Sequence, residues 1–501
     1  MEVVDARVIL APTVSFLCAA LVFATGRSVF WRRFWTFLAA TIKMGLVLSM
    51  LPGTLRGVVY TYQFVEFTPG IGIGFRADAY GMFFSLVSST LWVLTTIYAI
   101  GYMQGDKDRV RFFGFFALCV STTVGVSFAE NLLTFFLFYE TLTICTYPLV
   151  VHAETPEALR AGRIYLTYTL IGGGFALVGA IMTLNVAGTL TLAHPGILSG
   201  DAGFGTLLVI FLCLIIGFGV KAGIMPLHGW LPIAMVAPTP VSALLHAVAV
   251  VKVGAFGVTR VIYNVFGVEL LQQLGFATPL AWLAAFTILA GSTIALTQDH
   301  LKRRLAYSTI SQLSYIVLGA ALLTPLAATA AIIHVANQAF AKITMFFVVG
   351  AITKTTGKKY VSELDGIGAR MPWSMAAFTI AALSFVGVPL FAGFITKWYL
   401  ALGALQADAW WFVLVMIVSS LLNAGYWFPI IHRAYFRTAQ EPWPPPPPGR
   451  RLETHKTLLI PILICAAYVL LLGVTAEVPG MPFSVAQVAV ERAFGLPGVT
   501  P

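Results

Sequence analysis

Of the 501 residues, 59% are hydrophobic and only 10% are charged, whereas soluble domains are roughly half apolar and a quarter charged; a soluble fold is excluded. The formal charge of +10 raises nucleic acid or an acidic partner as a question, but the Lys and Arg residues lie almost entirely between apolar runs, which removes the nucleic-acid reading. Cys18, Cys119, Cys145, Cys213 and Cys465 are scattered through apolar runs without a pair at redox or metal-ligand spacing, and read as buried structural thiols.

A helix needs about 20 apolar residues to cross roughly 30 Å of hydrocarbon, and about fourteen runs of that kind follow one another along the chain. The first, Val8 to Thr25, is preceded by Glu2, Asp5 and a single Arg7 rather than a basic patch, so it reads as a retained span and not a secretion signal. Next come Phe34 to Met50, Tyr80 to Ile100, Phe112 to Phe128, Leu132 to Val151, Ile164 to Val186 and Thr206 to Met225. The second half holds Val241 to Tyr263, Pro279 to Thr297, Leu305 to Leu323, Leu326 to Ile352, Ser374 to Ala401, Trp410 to Ile431 and Thr457 to Val474. Loops after the odd-numbered spans carry 20 of the 30 basic residues, and basic loops face the cytoplasm, so both termini are expected on the non-cytoplasmic side of a bacterial inner membrane. Trp443 to Gly449, with its run of prolines, is expected to be a stiff polyproline linker on the cytoplasmic face. The fold class is therefore an all-α polytopic membrane protein, with no soluble domain and no nucleotide loop.

An ionisable side chain deep in a bilayer costs several kcal/mol and asks for a partner or a hydrated path. Among the acids only Glu140, in FFLFYETLTICTYP, falls mid-span; it is either a packing hydrogen bonder or a proton-binding carboxylate. Lys221 opens KAGIMPLHGWLP, where Gly223, Pro226 and Gly229 interrupt the seventh helix, and a broken helix beside a buried charge is the usual build of a transport site; snorkelling to an interface is its plainer alternative. Lys252 lies near the centre of its span with His246 one and a half turns earlier, too deep to snorkel. His334, Gln338 and Lys342 recur at steps of four, a stripe on one helical face able to order water. Lys397 follows Pro389 and Gly393 in a segment too long for one straight crossing, so the twelfth span is expected to be broken as well. Lys43 and Arg260 are expected near interfaces, with structural roles. Gly172 to Gly174 lack a phosphate-loop context and point to close helix packing. His152 and His228 have no ligand partners at metal spacing, and no nucleophile constellation is present; neither metal nor cofactor is expected.

KAGIMPLHGWLPIAMVAPTPVSALLHAVAVVKVGAFGVTRVI, together with FYETLTICTYPLV, QDHLKRRLAYSTISQLSYIVLG, the stretch from His334 to Lys342, and GFITKW, resembles the antiporter-like subunits shared by Mrp cation/proton antiporters, respiratory complex I and membrane-bound hydrogenases. The resemblance covers nearly the whole chain from the third span onward. It implies two inverted five-helix repeats, over 111–263 and 264–435, with helices 7 and 12 broken, after N-terminal helices in 1–110 and before a linker at 436–456 and a last helix with its tail at 457–501. It makes Glu140 and Lys221 the coupled pair of a first half-channel and Lys252 the central relay; His246, His334 and Lys342 line the axis, and Lys397 ends the second half-channel. Lysine at 397 followed by Trp398 is most similar to the D-type component of Mrp antiporters, whereas His246 is more like the largest antiporter-like subunit of complex I, and Ile233 replaces the usual aspartate after WLP.

The expected function is proton translocation along this axis within a multisubunit membrane complex, coupled to Na+ exchange or, alternatively, to a redox reaction in attached subunits. In the expected mechanism ionised Glu140 holds the proton on Lys221, and weakening that pairing drives the proton toward Lys252. A lone metabolite carrier would need a substrate pocket between the repeats, and a non-conducting scaffold would have neutral residues on the axis; the charged row speaks against both.

Overall fold

The computed structural model describes residues 1–68, 71–439, 441–445, 452–476, 478 and 481–496. A short strand β1 (Glu2–Val4) leads into the hairpin-like helices α1 (Arg7–Thr25) and α2 (Val29–Leu55). Then β2 (Val59–Thr68) and β3 (Ile71–Ala77) pair antiparallel, with Tyr60 opposite Ala77 and Tyr62 opposite Phe75, and β1 adds parallel to β2. This three-stranded sheet is the one departure from an all-helical reading among the described residues: β-branched and aromatic residues fill the connection between the second and third spans.

Helices α3 (Ala79–Tyr102), α4 (Arg109–Ser127), α5 (Leu132–Val150), α6 (Pro156–Ala187) and α7 (Phe204–Ala222) follow. Asp78, Asn131 and Thr155 cap α3, α5 and α6 by accepting from backbone N–H groups, and proline opens α6 where a backbone donor is dispensable. Helix α7 stops at Gly223, whose φ of +71° suits a residue without a side chain, as the sequence led one to expect. The chain then makes the single turn α8 (Trp230–Ile233) and a 3-10 turn over Ala234–Val236 before entering the next crossing. That crossing, expected as one helix, is interrupted: α9 (Thr239–Ala247) and α10 (Val250–Arg260) are separated at Val248 and Ala249, and α10 runs into a π-helical turn over Val261–Phe266.

After the short α11 (Val268–Leu274) come α12 (Ala277–Thr297), α13 (Leu301–Ala321), α14 (Pro325–Thr356) and the single turn α15 (Ile367–Arg370). The twelfth crossing is broken as expected, into α16 (Pro372–Val386) and α17 (Ala392–Gln406), with Gly387 at φ +91° ending the first half. α18 (Trp411–Phe436), α19 (Lys456–Val474) and a further helix not foreseen in the tail, α20 (Pro482–Ala493), complete the described chain. Among the described residues, twelve helices are long and apolar enough to cross a membrane, against the fourteen expected; α13 and the shorter α16 and α17 occupy the positions of the other two. Residues 446–451 of the expected polyproline linker lie outside the described residues; its start is docked, since Arg370 Nε donates to the Pro444 carbonyl at 3.0 Å.

The sheet marks one face of the molecule. Arg492 in α20 donates to the Gly57 carbonyl beside β2, so the N-terminal strand and the last described helix share that face. The bridge between His300 and Tyr360 joins two of the basic loops at the other.

Candidate functional site

Two crossings, Thr239–Phe266 and Pro325–Thr356, are 100% buried along their most apolar window, and these carry His246, Lys252, His334, Gln338 and Lys342. Polar side chains there are enclosed by protein on every side and cannot snorkel. The remaining expected residues are brought up to them from α5, α7 and α17.

On α5, both Glu140 carboxylate oxygens are buried without a hydrogen-bond partner. Space for them comes from α6: a Cβ on Gly173 would collide with Glu140 Oε1, while Gly174 faces open space. Gly172 does what the glycine run was expected to do: a Cβ there would meet the Val220 side chain of α7 at 3.0 Å. Lys221 closes α7, fully buried; its Nζ donates to the Tyr139 carbonyl and lies 3.3 Å from the centre of the Tyr139 ring. The ammonium thus docks on the residue adjoining Glu140. The two charges are near enough to interact electrostatically, but the hydrogen bond goes to the backbone and not to the carboxylate. Tyr139 in turn donates to the Gly217 carbonyl at 2.8 Å, and Trp230 of α8 donates to the Val220 carbonyl at 2.8 Å, which holds the broken end of α7 in place.

Helix α10 reaches this broken end through Gly254, where a Cβ would run into the backbone of Lys221 and Ala222. Backbone atoms cannot rotate aside, so Gly254→Ala is expected to destabilise the protein by about 1–3 kcal/mol. Thermal unfolding in detergent checks this, with a melting temperature equal to wild type counting against so close an approach.

Lys252, only 1% exposed, has no hydrogen-bond partner on Nζ. His246 lies across the α9–α10 break, both ring nitrogens unpartnered, with its ring 5.0 Å from that of Phe346. Lys252 is within electrostatic reach of His334 and Lys342, and Lys342 of His246.

The second half of the row is joined by direct contacts. Tyr315 of α13 stands 5.5 Å from the His334 ring and 5.8 Å from Lys397 Nζ. Phe385 lies 4.2 Å from Lys342 Nζ, and its carbonyl accepts from Lys397 at 2.8 Å. Lys397 also donates to the Val386 carbonyl at 2.9 Å and to Ser420 Oγ at 2.7 Å. These carbonyls end α16, where a helix presents its unpaired acceptors and partial negative charge; the break in the twelfth crossing exists at the point where a cation is held. Lys342 donates to Ser308 Oγ at 2.8 Å, and Ser308 meets Tyr426, which bonds Asn423. Gln312 and Gln338 have amides without partners.

Ser308, Gln312, Tyr315, Asn423 and Tyr426 therefore belong to the site although the sequence did not single them out. Asp78 and Arg260 form a further buried group: two hydrogen bonds of 2.6 and 2.8 Å join them, at 13% and 4% side-chain exposure, and Asn264 accepts from Arg260 at 3.1 Å. Arg260 is thus paired rather than extended to an interface. Lys43 overturns its expected interfacial place, being 0% exposed: it lies midway along α2, where protein covers it completely. Among the described residues no cluster of His, Cys, Asp or Glu could hold a metal ion.

An all-α polytopic membrane protein with buried lysines and histidines at two broken helices defines the class of antiporter-like membrane subunits. Residues 129–423 match the family described as NADH:quinone oxidoreductase/Mrp antiporter, transmembrane, and residues 68–113 match the N-terminus of chain 5 of NADH-ubiquinone oxidoreductase (complex I); the chain belongs to this family. It is 34% identical over 453 residues to the N-type component of the NADH-quinone oxidoreductase of Desulforudis audaxviator (strain MP104C), covering 87% of this chain and 89% of the relative. It is 27% identical over 476 residues to the D-type component of the Na(+)/H(+) antiporter of Bacillus subtilis (strain 168), covering 94% and 93%. Its fold matches a chain of the Mrp complex from Dietzia sp. DQ12-45-1b with a TM-score of 0.87 over 98% of both chains, at 21% identity.

Proposed function

We propose that this chain is the proton-translocating, antiporter-like subunit of a multisubunit membrane complex, and that Glu140, Lys221, His246, Lys252, His334, Lys342 and Lys397 carry the protons. The observation that supports this most is the enclosure of the unpartnered His246, Lys252 and His334 on two wholly buried crossings, the first packed through Gly254 on the backbone of Lys221 and the second sharing Tyr315 and Phe385 with Lys397. Isolated charges kept for packing would each be paired, since unpaired buried charge is costly; groups that exchange protons with internal water need not be. Helices α4–α10 and α12–α18 would form the two inverted repeats, each with its broken helix fourth in order. With the basic loops facing the cytoplasm, the sheet face and both ends would lie on the other side of a bacterial inner membrane.

Exchange for Na+ is the coupling proposed first, from the likeness to the D-type antiporter component. The higher identity to the N-type component of NADH-quinone oxidoreductase favours a second reading, in which electron transfer in attached subunits drives the protons. The native complex, purified with its co-purifying subunits and reconstituted into liposomes holding a pH-sensitive dye, separates the two: a Na+ gradient moves protons under the first, a quinone and its reductant under the second. Proton movement under neither condition would count against the proposal. In the same assay Gly173→Ala, which pushes into the Glu140 carboxylate, is expected to slow flux by about tenfold, equivalent to roughly 1.4 kcal/mol, whereas Gly174→Ala leaves it at the wild-type rate.

A further inference from the structure

Outside the row, the packed helices α1, α2 and α3 carry a second set of buried polar side chains without partners. Lys43 is its centre: it sits in the middle of the 27-residue α2, is 0% exposed, and has no hydrogen-bond partner for any of its three donors. Its Nζ lies 4.1 Å from the centre of the Trp92 ring on α3, close enough for the ring face to attract a cation. Along α3 the residues Ser85, Ser89, Trp92 and Thr96 recur at steps of four, three and four, so they share one face with that indole. Each has a buried polar side-chain atom without a protein partner. Ser15 on α1 has an unpartnered buried hydroxyl too, and one turn later Cys18 donates to the Trp35 carbonyl of α2 at 3.4 Å.

This stripe is turned away from the row. Tyr80 and Phe84 of α3 pack on Phe256 of α10 at 4.5 and 4.9 Å, and Tyr98 stacks on Phe347 of α14 at 4.0 Å; those residues occupy a different side of α3. The charged groups around Lys43 are confined to the ends of the bundle. Arg32 and Arg33 begin α2, and Arg7 binds Ser49 and Asp5 near the far end, where Arg492 of α20 binds Gly57. Along the middle, α1 and α4 offer only the thiols Cys18 and Cys119 as titratable groups, and the α3 stripe offers none. Among these described helices no carboxylate is present there to coordinate a metal cation or to neutralise an ammonium.

We propose that Lys43 is a separate protonation site, taking up and releasing a proton through water held by Ser15, Ser85, Ser89, Trp92 and Thr96. A neutral amine and four hydroxyls can both donate to and accept from water, the indole N–H can donate to it, and buried groups lacking protein partners are satisfied by ordered water. The ligand class is the proton with its water, and the site is off the row that the preceding reading uses.

The test is solid-state NMR of the complex carrying 15N-labelled lysine, with Lys43 assigned by the resonance missing in Lys43→Met. The Nζ signal is expected to pass between its amine and ammonium positions as pH is stepped from about 6 to about 10, and proton flux in Lys43→Met and Lys43→Gln to fall several-fold with the complex assembled. A Lys43 resonance fixed in one form over that range would overturn the proposal. So would wild-type flux in both variants beside a strong loss in Lys252→Met, which would leave the row standing and Lys43 a packing residue.

Discussion

Glu140→Gln, assembled in its complex, is expected to reduce proton flux by about a hundredfold, the low end of what a positioned proton-transfer group contributes. Glutamine keeps the shape and fills the space opened by Gly173, so the helices pack as before and only the charge and the titration are lost. Lys221→Ala is expected to do the same, and the double variant to be little worse than either, because one group acts through the other: residues that act as a unit give non-additive losses. Flux assays in liposomes on the three variants, normalised to assembled complex, check this. Additive losses would mean that Glu140 and Lys221 work apart, in line with a hydrogen bond that runs from Lys221 to the Tyr139 carbonyl and not to the acid.

The second large effect concerns stability. Asp78 both caps α3, accepting from Gly81 N at 2.7 Å, and receives two hydrogen bonds from Arg260. Asp78→Asn leaves a buried guanidinium without its counter-charge, and removing one partner of a buried pair costs about 3–5 kcal/mol. The variant is expected to unfold well below wild type in detergent and to assemble poorly. Replacing the arginine as well, in Asp78→Asn with Arg260→Met, removes the stranded charge and is expected to recover a good part of the loss. Melting temperatures of the three proteins measure it; a single variant as stable as wild type would show that the pair is dispensable.

The sequence exposed the row because a Lys or His within an apolar run is conspicuous: Lys252, Lys342 and the Glu140 carboxylate need no structure to be noticed. Proline and glycine likewise marked the breaks after Lys221 and before Lys397. What stayed hidden depends on which way a helix faces. Nothing in the run around Lys43 says whether that face meets lipid, an interface or protein, so the lysine was expected to reach an interface and instead lies over Trp92. Asp78 and Arg260 are 182 residues apart, and only the packing of α3 on α10 makes them partners. The interruption at Val248 and Ala249 has no proline or glycine to announce it. Ser308 and Tyr426 matter because α13 and α18 bring them to Lys342, a pairing that spacing along one helix cannot reveal.

Lys252 has no hydrogen-bond partner, is within electrostatic reach of His334 and Lys342, and is the one lysine of the α9–α10 crossing; the proposed row passes through it. Proton flux through the assembled complex carrying Lys252→Met, in which a methionine of similar length preserves packing, is therefore the decisive measurement. A fall of at least about tenfold with subunit composition unchanged is what a single connected row requires, and flux equal to wild type would contradict it.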